Sequence, residues 1–560
     1  MKKVFIYIIA LLFFSGCSDI LDTEPKTTKV VENFYQTTED AEQALAAAYS
    51  SLYGTFDAYW MGGAFFASEL RCDDRLAGSA IGDVEITKQA NFETQGSDTW
   101  RPIWSGNYKG IYRCNILLEN LDYINWENDE QRDKYEGETK FLRAYFYFEL
   151  AKFFENIPLL LETSPVNPPQ AAPEETYAQI ASDLKQAIEL LPAIPFSSSN
   201  TDNIGHVTRW AAEALMARVF LFYTGLYNQE TLPLPDNGNI TKNEVIVWID
   251  ECANSSVSGH ALIPDFRNLW PYAYGSGKGY KYATDNNLQW IGVDGENNET
   301  IFAIKYSTLA NWWQYGGGVS ETWSNGAMTM SGWRLKSPYT SLPFGQGFGY
   351  GPVNPNLYDE WEETDIRKKG SILRIDDPAE GIIGYSTEAT DQQKDETGFW
   401  SKKYMPVNVS ANNGAVLHMT ESIYGEHKGQ YLENVQDMVI IRYADVLLMG
   451  AELGSSHAQE YLDAIRHRAG LPSIPVTLEN IKMERRHELA FEGLRLFDLM
   501  RWGDLESAVA QVKDIPVKNN GVPATVSKTY RSETRGFLQI PWSQISLSNG
   551  VLNQNSGWEK

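Results

Sequence analysis

Three groups of side chains could do chemistry in this chain, and the first is a set of carboxylates. Glu484, Glu488, Glu492 and Arg495 recur at spacings of four, four and three, which puts them near one face of a helix, with Arg485 and Arg486 interleaved. A glycosidic general acid needs a raised carboxyl pKa and a second carboxylate roughly 5 to 9 Å away across a cleft. So many adjacent guanidinium groups act the other way, lowering carboxyl pKa values, and the expectation is a structural ionic network. Arg442 and Asp445 read similarly, as i,i+3 partners on an apolar helix. Asp73 and Asp74, flanked by Arg71 and Arg75 in a predicted loop, are candidates for ligand or ion contact, with fixation of the loop as the plainer alternative. The 7 histidines show no zinc-protease spacing. Nor does Gly345-Gln346-Gly347-Phe348-Gly349 lie between a strand and a helix, as a phosphate cradle would. The residues therefore predict no catalytic group, no metal site and no cofactor.

The second group is aromatic. Trp312, Trp313, Tyr315, Trp323 and Trp333 crowd into a stretch whose neighbours are Gly, Asn, Ser and Gln, with Gly316-Gly317-Gly318 among them. Core aromatics usually keep aliphatic company at a fixed period; these do not. Flat rings with amide donors and acceptors around them suit the weakly polar faces and hydroxyl rims of pyranoses. Trp290 joins this set as a candidate contact, with Trp270, Tyr272, Tyr274 and Trp60 behind it. The competing reading for each is an indole plugging a gap under a long loop. A neutral ligand also fits the charge. With 47 Lys and Arg against 73 Asp and Glu, the net charge of -26 repels nucleic acid phosphates.

The third group is the thiol of Cys17. Lys2 and Lys3 precede an apolar run of 11 residues, Val4 to Phe14, too short to span a bilayer but long enough for an export signal. Ser15-Gly16-Cys17 then presents the small residues that lipoprotein processing requires, although Phe14 stands where Leu is usual. Residues 1–16 read as a signal peptide and Cys17 as the lipidated terminus, anchored by several acyl chains at roughly 0.8 kcal/mol per buried methylene. Cys72, Cys114 and Cys252 form no paired ligand spacing and read as buried hydrophobes.

The elements that must position these groups are mostly helices. Residues 17–37 form an arm. Residues 38–258 carry helical periodicity from Thr38, from Trp100 to Leu121, from Glu136 to Phe154, from Glu174 to Leu190 and from Thr208 to Gly225. Alternating Ala, Gly and aromatic positions allow close antiparallel pairs, as in a tetratricopeptide superhelix without a strict repeat. Residues 259–429 are loop-rich and aromatic, with a strand candidate at Thr300 to Tyr306 and a long irregular run from Ala310 to Pro355; such runs commonly carry function. Residues 430–560 return to helix at Val439 to Leu453, His457 to Ala469 and Leu478 to Arg501, completing the same body.

Several blocks in this order resemble the SusD/RagB family of outer-membrane nutrient-binding lipoproteins. They are Gly137-Glu138-Thr139-Lys140-Phe141-Leu142-Arg143-Ala144-Tyr145-Phe146-Tyr147-Phe148, then Ile441-Arg442-Tyr443-Ala444-Asp445-Val446-Leu447-Leu448 with Ala451-Glu452. Glu484-Arg485-Arg486-His487-Glu488-Leu489-Ala490-Phe491-Glu492-Gly493 follows, and Ile540-Pro541 with Gln554-Asn555 closes the chain. The resemblance implies a mainly α fold, a tetratricopeptide-like helical superhelix with an inserted region of loops and small sheets. It implies a lipoprotein of the cell outer membrane facing the exterior, binding oligosaccharide or polysaccharide without catalysis. It also implies a partner, a SusC-like TonB-dependent transporter. Three alternatives stay open: a binder of peptides or another non-glycan nutrient, a helical glycoside hydrolase, and a surface protein whose only partner is the transporter.

Overall fold

The structure is a computed structural model that describes residues 34–558 except 57–62, 95, 165, 197–203, 293–296, 310–323, 387–389 and 430–431. Helices of eight residues or more run in chain order: α1 Thr38–Phe56, α2 Arg101–Asn120, α3 Asp129–Phe154, α4 Pro173–Leu190, α5 Arg209–Tyr227, α6 Lys242–Ala253, α7 Tyr443–Leu453, α8 Ala458–Arg468, α9 Leu478–Glu488 and α10 Arg495–Trp502. Local signals explain their starts. The Asn128 side chain accepts from Gln131 N and opens α3 seven residues before the expected Glu136. Thr208 accepts from Ala211 N at the head of α5, and Pro173 occupies the first turn of α4, where its missing N–H costs nothing.

Neighbours in sequence are neighbours in space from α1 through α6, each helix packing on the next. The helix α3 lies within the stack, touching α2 and α4, and is buried at every position from Phe141 to Phe154, with Arg143 paired to Asp183 and Lys152 to Glu149. The series continues with α7 against α6, although some 190 residues separate them, and α8 then packs on α7. The superhelix is therefore one body, and the loop-rich residues between α6 and α7 are an excursion from it. The fold class is mainly α and tetratricopeptide-like, with small two-stranded sheets.

A short antiparallel ladder closes the neck of that excursion. The strand Thr300–Ile304 pairs with Met438–Arg442, and Phe302 meets the edges of Phe141 and Tyr145 on α3. Residues 439–442, expected as the first turn of a helix, are thus strand, because their backbone groups bond across the neck; α7 starts at Tyr443.

The expected single helix from Leu478 to Arg501 is two. α9 stops at Glu488, and the turn to α10 places Phe491 at φ 65° and Gly493 at φ 78°, a left-handed geometry that a continuous helix excludes. Gly493 N donates to Glu69 Oε1 at 2.8 Å, so the body itself holds the break. Glu492 and Arg495 therefore leave the helical face they were expected to share with Glu484 and Glu488. A hairpin, Ile515–Asn519 with Val522–Val526, was not anticipated. The tail lies across the end of α3: Leu538 N donates to Phe153 O at 2.7 Å, and Asn555 Nδ2 to Phe154 O at 2.7 Å.

Candidate functional site

The carboxylates of the first group are enclosed and paired. Arg442 Nη1 donates to Glu299 Oε1 at 2.9 Å and Glu488 Oε1 at 2.6 Å, while its Nε donates to Glu492 Oε2 at 2.8 Å. Arg367, from the loop-rich region, donates to Glu484 at 2.6 Å and to Glu488 at 2.9 Å; Lys403 reaches Glu492 at 2.6 Å. The expected Arg442–Asp445 pair is not formed. Arg442 is the last residue of a strand, so Asp445 faces elsewhere and takes Arg218 and Arg485 instead. Burial pushes the Glu488 carboxyl up, but Arg468, Arg442 and Arg367 outweigh it and hold the group well below the usual range. An ionic layer of this kind fastens the excursion to the helices and exposes no acid.

Asp73 and Asp74 belong to the same system. Arg495 clamps Asp73 through two bonds of 2.9 Å, and Arg486 donates to Asp74 Oδ1 at 2.7 and 2.9 Å. Both aspartates are buried, so the ligand contact expected of them is corrected to a loop clamp. Against burial, the arginines hold Asp73 down at about 2. Trp333 is corrected likewise. Its ring is 0% exposed, stacks on Tyr385 at 4.3 Å, and donates Nε1–H to Phe344 O at 3.2 Å. Trp270 and Tyr272 are buried too. Cys72, Cys114 and Cys252 are buried free thiols. Cys17, Trp60, Trp312, Trp313, Tyr315 and Trp323 lie outside the described residues.

What the excursion does present is a half-exposed run of rings and polar groups beside both flanks of residues 310–323. Trp290 and Tyr274 are partly exposed and meet edge to face at 6.3 Å. Lys278 Nζ sits over the Tyr274 ring, 3.2 Å from its centre. The Tyr274 hydroxyl is 3.1 Å from Ser422 Oγ on the short helix Met419–Tyr424, whose Ile423 and Tyr424 are 37% and 39% exposed. One turn back, Glu421 Oε2 is 3.0 Å from Nδ1 of His427, and the same nitrogen is 3.0 Å from Glu433 Oε1. Tyr339 donates its hydroxyl to Glu433 Oε2 at 2.7 Å and sets its ring at an edge to His427. Burial first, then the hydrogen bond to Glu433 and its charge, keeps that phenol protonated.

This patch is anchored from below. His418 caps the short helix by accepting from Thr420 N on Nδ1, which leaves Nε2–H to donate to Asn434 Oδ1 at 3.2 Å. Burial pushes the His418 pKa down to about 4, so the ring is neutral and this arrangement persists across ordinary pH. Asn434 Nδ2 donates to Thr329 Oγ1 at 2.7 Å, and Asn325 Nδ2 to Gln436 O at 3.0 Å. On the other flank Lys428 Nζ donates to Thr308 O. Of the sequence candidates, Trp290 and Tyr274 thus come together at the surface. Tyr339, Ser422, Tyr424, His427 and Glu433 were missed; the one signal was the even spacing Glu421, His427, Glu433. A separate hollow of about 420 Å³ lies on the helical body between Trp104, Tyr108, Lys109, Pro158, Pro168 and Leu547. Its indole is nearly buried and its phenol is committed to Pro158 O at 2.8 Å.

Comparison with known proteins agrees with this architecture. The SusD family matches residues 295–558, and a second family, "Starch-binding associating with outer membrane", matches residues 19–221. SusD-like protein P2 of Formosa agariphila is 26% identical over 536 residues, covering 90% of this chain and 91% of its own. A laminarin binding SusD-like protein superposes with a TM-score of 0.69 at 27% identity, over 93% of this chain and 100% of that one. Surface glycan-binding protein A from Bacteroides thetaiotaomicron gives a TM-score of 0.71 at 22% identity, over 93% and 99%. The order of helices, the excursion at its neck and these matches together show that the chain belongs to the SusD/RagB family.

Proposed function

We propose that this protein is a lipid-anchored glycan-binding protein of the outer cell surface. It captures oligosaccharides and passes them to a SusC-like TonB-dependent transporter, and it does no covalent chemistry on them. The observation that carries the reading is the half-exposed run from Trp290 through Tyr274 and the short helix to His427 and Tyr339. Rings at differing tilts next to hydroxyl, carboxylate and ammonium groups match a sugar, whose axial faces are apolar and whose rim is all hydroxyl. The matched laminarin binding protein supports the same class of ligand. Thr308 and Asn325, which flank residues 310–323, are both tied to the base of this surface.

The absence of catalysis rests on the state of the acids. Glu484 and Glu488 are buried and ion-paired to arginines, so neither reaches a glycosidic oxygen. Attachment through Cys17 accounts for membrane association without a span, and among the described residues no helix is long and apolar enough to cross a bilayer. Calorimetry with a panel of neutral and acidic oligosaccharides, laminarin fragments among them, tests the reading. The expected result is binding of at least one glycan at micromolar or weaker affinity, with no new reducing ends. No heat with any glycan, together with firm binding of a peptide, overturns it.

A further inference from the structure

We propose that Glu421, His427 and Glu433 form a site for one divalent ion of the zinc class. The donor atoms, one imidazole nitrogen and two carboxylate oxygens, lie within 4.8 Å of one another, with Nδ1 3.0 Å from each oxygen. Ligands bound at roughly 2.0–2.1 Å to a tetrahedral zinc ion stand about 3.3 Å apart. The three donors are therefore within a few tenths of an ångström of that spacing on the two measured edges, and the fourth position is left for water.

Charge points the same way. The Glu433 side chain is 0% exposed, and among the described residues His427 is the basic side chain that pairs with it. A neutral imidazole offers two carboxylates a single shared hydrogen. A divalent ion in place of that proton satisfies all three donors and neutralises both acids. The mixed N,O,O set favours zinc-class ions over calcium, which takes six to eight oxygens.

The carboxylate is also held in orientation. Tyr339 donates to Glu433 Oε2 at 2.7 Å, while the backbone N–H groups of Lys428 and Gly429 donate to Oε1 at 3.1 Å. Outer partners of this kind fix a ligand's rotamer before the ion arrives. The three ligands come from the short helix, the loop after it and the stretch leading to the neck, so the ion would lock the base on which both flanks of residues 310–323 rest. The site does not depend on what the surface binds: glycan capture can fail while the ion binds, and the reverse.

Untagged protein stripped with EDTA, then titrated with ZnCl2 by calorimetry and with CoCl2 by visible absorption, tests the site. One equivalent of each metal is expected, with the cobalt spectrum showing a low-coordinate N,O environment. His427→Ala and Glu421→Gln should each raise the zinc Kd by roughly tenfold or more while circular dichroism stays unchanged. Tyr339→Phe should weaken binding and keep the stoichiometry. Absence of a one-equivalent event overturns the site. So does a His427→Ala or Glu421→Gln protein that binds zinc as the parent does.

Discussion

Arg442 and His427 each stand between carboxylates, yet their surroundings are opposite. Arg442, 3% exposed at its side chain, bridges Glu299, Glu488 and Glu492 between the neck of the excursion and the helices. His427, 55% exposed, bridges Glu421 and Glu433 at the outer surface. In the first place every charge is paired by a permanent cation and none is free to meet a ligand. In the second the partner is a half-exposed imidazole, which in the proposal gives way to a metal, bordered by partly exposed rings. The difference sets two uses of similar residue types side by side: rigidity from over-determined pairs and, in the proposed reading, recognition from pairs left incomplete.

The comparison breaks most visibly if the enclosed side is weakened. Arg442→Ala leaves three buried carboxylates without their shared guanidinium, so a loss of about 3–5 kcal/mol is expected in urea unfolding. Trp333→Ala, on the same enclosed side, should cost about 3–4 kcal/mol through the cavity it opens beside Tyr385 and Phe344. A loss below about 1 kcal/mol from either change would show that these residues are not the frame.

Acid sharpens the contrast. Asp73, Asp445 and Glu488 are held by arginines below their ordinary values. Their contribution is fully present above an unfolded pKa near 4 and is lost as pH falls through the folded values. Asp73, held at about 2, should alone cost on the order of 2 kcal/mol between pH 4 and pH 2. The share of melting temperature that these three groups supply should therefore be flat from neutrality to about pH 5 and fall steeply below about pH 4. The same profile from an Asp73→Asn protein should fall less steeply; an identical slope would remove Asp73 from the layer.

The enclosed region was the more legible in sequence. Helical periodicity, the helix start at Thr208 and the blocks around Arg143, Arg442 and Glu488 are local signals, and the superhelix follows from them. The Asn128 cap is a local signal left unread, whereas the expected single helix fails for a long-range reason. Leu489 to Glu492 are compatible with helix, and only Gly493 marks a break that Glu69 holds from far along the chain. The surface was legible in part. Trp290 and Tyr274 could be named from composition, whereas the Tyr274–Ser422, Tyr339–Glu433 and Tyr339–His427 contacts join residues far apart in sequence. Trp333 misled because glycine-rich company was read as openness. A Cβ on Gly347 would lie 2.3 Å from Thr329 O and 2.4 Å from Gly332 Cα, so this glycine permits close backbone packing just before Trp333.

The smallest expected effect decides whether the outer run is a recognition surface. Trp290 is partly exposed, and its ring touches Tyr274, which in turn reaches the short helix through Ser422. Trp290→Ala removes a stacking face together with a ring partly packed on the core, so stability should fall by about 1–2 kcal/mol, less than for Trp333→Ala. Affinity for the best glycan of the panel should drop roughly tenfold, since one aromatic contact is worth about 0.5–1.5 kcal/mol. Tyr274→Phe keeps the face and removes the bond to Ser422, and should fall between the parent and Trp290→Ala. Unchanged affinity in both variants would move recognition away from this end of the run. A stability loss as large as that of Trp333→Ala would make Trp290 part of the frame after all.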